Sequence, residues 1–138
     1  MKLAIALLLL VPQLVLAYVN TDIRGRWVAE NQIWDRGVQY QLGFLFTSNQ
    51  TELTVDCYFA DGARLQSTTS SFVNYNGNAI YIQENRRNTS QDPYHFCVAS
   101  LAPSVWTVYF DVYGRMILTM PTPYQSQLSL VRAYPHLN

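Results

Sequence analysis

Histidine and cysteine are among the residue types that can supply a nucleophile, a general base or a metal ligand. The sequence has two of each, Cys57, Cys97, His95 and His136. His95 and Cys97 are two residues apart, and on a strand such residues share a face without easily hydrogen bonding, which disfavours a Cys–His nucleophile pair. No His-x-His, His-x-x-x-His or Cys-x-x-Cys spacing occurs. The sequence therefore predicts neither a metal site nor a reactive thiol pair.

The acidic residues and glycines also lack the spacing of a catalytic motif. Neither Gly-x-Ser-x-Gly nor a glycine-rich phosphate loop occurs. Glu52, Asp56 and Glu84 fall on strand faces that we expect to be solvated, which favours surface charges over a glycosidase-type pair of carboxylates. We therefore expect no catalytic residue and no cofactor, and we predict a protein that is not an enzyme.

Residues 1–17 have the composition of an export signal. Lys2 supplies a positive start, residues 3–16 are almost wholly apolar, and Ala17 ends a cleavage site of small residues. The apolar run of about 14 residues is shorter than the roughly 20 needed to cross a bilayer, and no second such run follows. The sequence predicts a signal peptide over 1–17, one domain over 18–138, and a secreted or periplasmic location without stable membrane insertion.

Export determines the expected state of the cysteines. Two cysteines in an oxidising compartment predict one disulfide, Cys57–Cys97, which closes a loop of about 40 residues. A disulfide that closes a loop of that length restricts the unfolded chain and so stabilises the folded protein by roughly 4 kcal/mol.

The charge balance argues against a nucleic-acid partner. Beyond the predicted signal there are eight arginines and nine acidic residues, and Lys2 is the one lysine of the chain. No basic field is left to hold phosphates. Arg86 and Arg87 lie in a polar stretch, residues 85–93, which we expect to be an exposed loop with solvated charges.

Hydrophobic side chains alternate with polar ones along most of the predicted domain. Over residues 38–46 and 51–60 the apolar residues recur with a period of two, which is a strong strand signal. Asp-Gly at 61–62 and Asn-Gly at 76–77 are favoured hairpin turns. Nine or ten short strands with no helical period predict an all-β fold. Hairpins between successive strands favour a single antiparallel up-and-down barrel of 8–10 short strands over a Greek-key sandwich.

Gly25-Arg26-Trp27 opens this run of strands, and Arg132 ends it. A Gly-x-Trp on the first strand, a succession of hairpins and a late arginine on the last strand resemble the calycin superfamily of lipocalin-like meander barrels. That resemblance implies that Trp27 plugs one end of the barrel and that Arg132 packs over its indole. Such a cation–π contact contributes about 1 kcal/mol when it is partly desolvated.

Large aromatic side chains on predicted strands are the candidates for lining the barrel. They are Tyr40, Phe44, Phe59, Tyr81, Phe96, Trp106, Tyr109 and Phe110. Such residues can pack an eight-stranded interior solid, or they can line a cup for a small molecule. The meander pattern and the surplus of strand aromatics favour a non-catalytic protein that binds a small hydrophobic ligand. Two alternatives stay open: a protein-recognition or inhibitor module acting through end loops such as 85–93, and a calycin-type isomerase.

Two sequons are also present. Asn49-Gln50-Thr51 and Asn88-Thr89-Ser90 both match the acceptor sequence for N-glycosylation. Both fall in segments expected to be exposed, so Asn49 and Asn88 are candidate modification sites in a eukaryotic host.

Overall fold

The computed structural model describes residues 22–121 and 126–133, and it contains eleven strands and no helix in those residues. The predicted signal peptide over 1–17 and the tail with His136 lie outside the described residues. In this part of the chain no helix has the length and apolar character needed to cross a membrane. The strands are β1 (Gly25–Ala29), β2 (Ile33–Asp35), β3 (Val38–Phe46), β4 (Gln50–Tyr58), β5 (Arg64–Asn76), β6 (Ala79–Ile82), β7 (Arg86–Gln91), β8 (Phe96–Leu101), β9 (Ser104–Phe110), β10 (Met116–Met120) and β11 (Ser126–Arg132).

Eight of these strands close into an antiparallel barrel. The wall runs in the order β1-β3-β4-β5-β6-β9-β10-β11, and β11 returns to pair with β1. Neighbours in the chain are neighbours in the wall apart from two insertions, so the predicted all-β up-and-down barrel is confirmed. The insertions are β2, which pairs with the start of β3, and the separate hairpin β7–β8.

The alternation along β3 and β4 decides which side chains enter the barrel. On β4 every second residue is buried, and Leu53, Val55 and Cys57 belong to that inward set. On β3 the inward positions near the strand's end hold Phe44 and Phe46, whose rings stack with centroids 5.9 Å apart. A period of two thus places one apolar face inside and one polar face in solvent.

The base of the barrel is the end that Trp27 seals. Its indole is 1% exposed and its Nε1 donates to the carbonyl oxygen of Ile23 at 2.7 Å. The guanidinium carbon of Arg132 lies 4.3 Å from the ring centroid, so the expected contact between the two residues is present. Arg132 also donates to the carbonyl of Arg24 at 2.8 Å. A Cβ on Gly25, whose φ is +115°, would meet the guanidinium at 3.1 Å, so the chain needs glycine there.

The polar segment 85–93, expected to be a loop, forms β7 and the start of the following turn instead. That prediction is wrong because no apolar alternation marks β7, which is held by β8 and by side-chain hydrogen bonds in both directions between β7 and β5. Ser67 Oγ donates to the carbonyl of Asn88 at 2.7 Å, and Ser90 Oγ donates to the carbonyl of Gln66 at 2.6 Å. The hairpin packs against β4 and β5, where it contributes to the site described next.

Candidate functional site

The end of the barrel opposite Trp27 is open and holds a cavity of about 840 Å³, which we call the cup. Cavities of roughly 300–1,000 Å³ with mainly apolar walls are typical of small-molecule sites. The barrel wall and β8 both contribute apolar side chains to it. They are Ala29, Leu42, Leu53, Val55, Val98 and Leu128.

Polar groups complete the lining of the cup, among them Asn31, Ser100 and Gln127. Asp35 is the one charged side chain among the described lining residues, and it is 66% exposed and 3.9 Å from Arg36. The described wall of the cup therefore presents apolar surface without a buried charge. Such a wall favours an uncharged molecule, because an ion would lose its hydration without gaining a partner.

The short strand β2 stands over one side of the cup. Ile33 and Trp34 both line the cavity, yet they are 38% and 68% exposed. Arg36 and Gly37 have φ values of 52° and 81°, and two successive positive values are what a tight type I′ hairpin turn requires. That turn holds β2 against β3 and keeps the indole of Trp34 at the opening, where it can cover a bound molecule.

The two faces of β8 have different surroundings. Cys97, Ala99 and Leu101 are buried, whereas Val98 and Ser100 line the cup. The predicted disulfide is present, with an S–S distance of 2.04 Å between Cys57 and Cys97. It attaches the β7–β8 hairpin to the inner side of β4.

We did not predict from the sequence that Val98 and Ser100 line the cup. The predicted disulfide could have indicated it. Cys57 shares the inward face of its strand with Val55, so a bridge from Cys57 leads into the barrel rather than around its outside. The chain on either side of Cys97 must therefore enter the barrel, and the alternating neighbours of Cys97 must face the space that is left.

The aromatic residues predicted to line the interior have separate positions. Tyr40 lines the cup. Phe44 and Trp106 are buried in the core with their rings edge to face and 5.9 Å apart, so they fill space instead of lining it. Phe59 packs against His95 with ring centroids 4.4 Å apart.

For Tyr81, Phe96 and Tyr109 the expected interior position is wrong, since these side chains are 36%, 69% and 54% exposed. On β6 and β9 the inward positions belong to residues such as Ile80 and Val108, which turns both tyrosines to the outer surface. Phe96 begins β8 at the hairpin turn. Where both faces of a strand are apolar, the period of two cannot say which face is inside.

The acids expected on the surface each lie beside an arginine. Asp56 accepts from Arg64 at 2.9 Å and Glu84 from Arg86 at 2.7 Å, while Glu52 is 4.0 Å from Arg26. Among residues 22–121 and 126–133 no group of three or more His, Cys, Asp or Glu side chains has an arrangement that could hold a metal ion.

The two sequon asparagines are both exposed. Asn49 lies in the turn between β3 and β4, as expected. Asn88 lies on β7, where its Nδ2 donates to the carbonyl of Thr68 at 2.9 Å.

His95 joins two turns at the mouth of the barrel. Its Nε2 lies 2.7 Å from Asp61 Oδ2, in the β4–β5 turn, and its Nδ1 lies 2.9 Å from Asp92 Oδ1, in the β7–β8 turn. Its side chain is 14% exposed. Since both ring nitrogens face carboxylates and Cys97 is in a disulfide, these residues form a structural clamp, not a nucleophile–base pair.

The two carboxylates favour the charged imidazolium. The hydrogen bond to Asp92 is the main cause of a raised His95 pKa, helped by Asp61 and opposed by partial burial. The pKa values of Asp61 and Asp92 are lowered, first by the backbone N–H groups of Ala63 and Tyr94 and then by His95. The clamp therefore carries one cation between two anions at mildly acidic pH.

We expect the clamp to make stability depend on pH. A raised histidine pKa stabilises the fold fully below the unfolded value of about 6.5, and this contribution is lost as pH rises through the folded value. The melting temperature of the wild-type protein should therefore fall more between pH 6 and pH 9 than that of His95→Gln. Calorimetry across this range measures both profiles, and parallel profiles would contradict the clamp.

No protein-family model matches this chain, and neither the curated proteins nor the solved structures show a significant match to it. The fold and the site together define a closed, eight-stranded antiparallel barrel with an apolar cup at one end and a tryptophan seal at the other.

Proposed function

We propose that this chain is an exported, lipocalin-like protein that binds a small, predominantly apolar molecule in the cup. The observation that carries the proposal is the cup itself, an open cavity of about 840 Å³ with an apolar wall. The seal formed by Trp27 and Arg132 at the opposite end supports the calycin relationship.

Two features of the opening support a binding role. Trp34 stands at the cavity with 68% of its surface exposed, so covering it with an apolar ligand removes that surface from water. Polar groups such as Tyr40 and Gln127 stand close to this wall and can orient one polar end of the ligand.

Export is supported by the cysteines and by the predicted leader over 1–17. The disulfide between Cys57 and Cys97 suits an oxidising compartment, because cytosolic reductants keep most thiols reduced. A secreted or periplasmic carrier without catalytic residues is the simplest function for such a chain.

We expect Leu42→Trp to weaken ligand binding at least tenfold, which corresponds to about 1.4 kcal/mol. Leu42 points into the cup from β3, so a larger ring there occupies the volume that a ligand needs. The matched control is Leu45→Trp, since Leu45 lies three residues along β3 on the opposite face and lines no part of the cup. Leu45→Trp should bind within about twofold of wild type.

The measurement is native mass spectrometry, together with ligand-dependent melting, on a panel of uncharged compounds: fatty alcohols, retinol and sterols. At least one member should remain bound to the wild type and to Leu45→Trp, and be lost from Leu42→Trp. Equal binding by both variants, or failure of every apolar compound to bind the wild type, would refute the proposed function.

A further inference from the structure

A second cavity, of about 470 Å³, opens at the base of the barrel. We call it the base cavity. Its described lining shares no residue with that of the cup. The inward-facing Ile80 and Val108 form part of it and are 1% and 5% exposed, so the cavity reaches the core. Trp27 thus seals one part of this end, and the remaining part stays concave.

Aromatic rings form much of the wall of the base cavity. Tyr75 and Phe110 line it, together with Tyr109, which is turned outward and is 54% exposed, and the Phe110 ring lies 6.0 Å from that of Trp27. The hydroxyl of Tyr75 donates to the carbonyl of Thr47 at 2.7 Å, which fixes the orientation of that ring. The part of the wall that Tyr75 forms is therefore oriented before a ligand binds.

The turn beside the base cavity leaves it uncovered. Gly77 has a φ of +61°, and a Cβ built on it would meet no atom within 4 Å. At Gly77 the β5–β6 turn therefore places no side chain over the opening, whereas the next residue, Asn78, contributes to the lining. A left-handed residue at this position favours glycine, so the same turn that forms the hairpin also keeps the entrance free.

The base cavity carries no unbalanced charge among its described residues. Its one acid, Asp111, accepts from the Arg115 guanidinium at 2.5 Å and from the backbone N–H groups of Tyr113 and Arg115, each at 2.9 Å. Its carboxylate is thus already satisfied. The side chain of Asn78 is exposed at the cavity and hydrogen bonds to no group in the described residues.

We propose that the base cavity is a second binding site, separate from the cup, for a small neutral aromatic molecule of one or two fused rings. The aromatic wall and the apolar floor hold the rings. The carboxamide of Asn78 hydrogen bonds to one polar group of the ligand. The Asp111–Arg115 pair leaves no free charge there to attract an ionic compound.

Indole is the probe that tests this site, because it has two fused rings and one N–H donor. Titration of the methyl-labelled protein should shift the NMR signals of Ile80 and Val108 saturably, with a dissociation constant of about 1 mM or below. The methyl signals of Leu42 and Leu128, which line the cup, should not move. Shifts confined to the cup, or shifts that do not saturate, would overturn the proposal.

Paired variants locate the site. Val108→Phe fills the base cavity and should weaken indole binding at least tenfold, whereas Leu128→Phe, the matched change in the cup, should leave it within about twofold. Asn78→Ala alters an exposed residue without touching the core. It should weaken indole at least threefold and leave 1-methylindole, which lacks the N–H, unchanged. Equal loss of the two probes would contradict the role of Asn78, and unchanged indole binding by Val108→Phe would overturn the site.

Discussion

Trp27→Ala should remove about 3–5 kcal/mol from the free energy of unfolding, the range observed when a buried aromatic side chain is truncated to alanine. The indole is 1% exposed, packs against Phe110 and lies under the guanidinium of Arg132. Truncation leaves a cavity at the base and removes the Nε1 donor from the carbonyl of Ile23. Since domains of this size are stable by only about 5–15 kcal/mol, the loss is a large part of the total.

The matched control for this change is Trp34→Ala. Trp34 is 68% exposed, and surface substitutions of this kind usually change stability by less than about 0.5 kcal/mol. At about 4 °C per kcal/mol, Trp27→Ala should lower the melting temperature by more than about 10 °C, while Trp34→Ala should lower it by about 2 °C or less. Urea titration followed by circular dichroism gives both free energies. Similar losses in the two variants would show that the indole at position 27 does not seal the base.

Trp27 also shows how far the sequence determines this fold. The alternation along β3 and β4 is a local pattern that predicts these two strands. The packing of Arg132 over Trp27 is instead what the resemblance to the calycins implies. The predicted strand 38–46 coincides with β3 as observed. Local hairpins then leave few ways to connect the strands, so the barrel follows from short-range information.

The segments that complete the cup are less predictable, because tertiary contacts place them. The polar strand β7 carries no hydrophobic signal, and its attachment depends on hydroxyl groups such as those of Ser67 and Ser90 reaching backbone carbonyls. Trp34 looks like a loop residue in the sequence, and it reaches the cavity because a tight turn folds β2 onto β3. Pairings of this kind depend on what lies opposite in space, which local propensity does not encode.

The double variant Cys57→Ala/Cys97→Ala should lose stability by up to about 4 kcal/mol. The bond joins residues 40 apart in the sequence, and opening a loop of that length returns roughly this much chain entropy to the unfolded state. Removing the disulfide also detaches the β7–β8 hairpin from the inner side of β4. The hairpin is then held by its hydrogen bonds to β5, by its remaining packing and by the clamp that His95 forms with Asp61 and Asp92.

Because the disulfide joins the β7–β8 hairpin to β4, we expect its removal to lower local stability more in the hairpin than elsewhere in the chain. Amide hydrogen exchange of the double variant should accelerate most over β7 and β8, and least over β10 and β11, whose pairing involves neither the hairpin nor Cys57. A uniform acceleration over all strands would mean that the bond acts on global stability alone. Mass spectrometry of peptides from the exchanged protein separates these two results.

Detachment of the hairpin should also affect the cup, since Val98 and Ser100 form part of its lining from β8. Under conditions where the double variant is still folded, we expect an apolar ligand of the wild-type cup to bind at least tenfold more weakly. Binding of indole at the base should stay within about twofold, because no residue of β7 or β8 lines the base cavity in the described part of the chain. The disulfide then stabilises one end of the barrel more than the other. The contrast between the two ligands tests that difference even if the total loss of stability is smaller than the chain-entropy value.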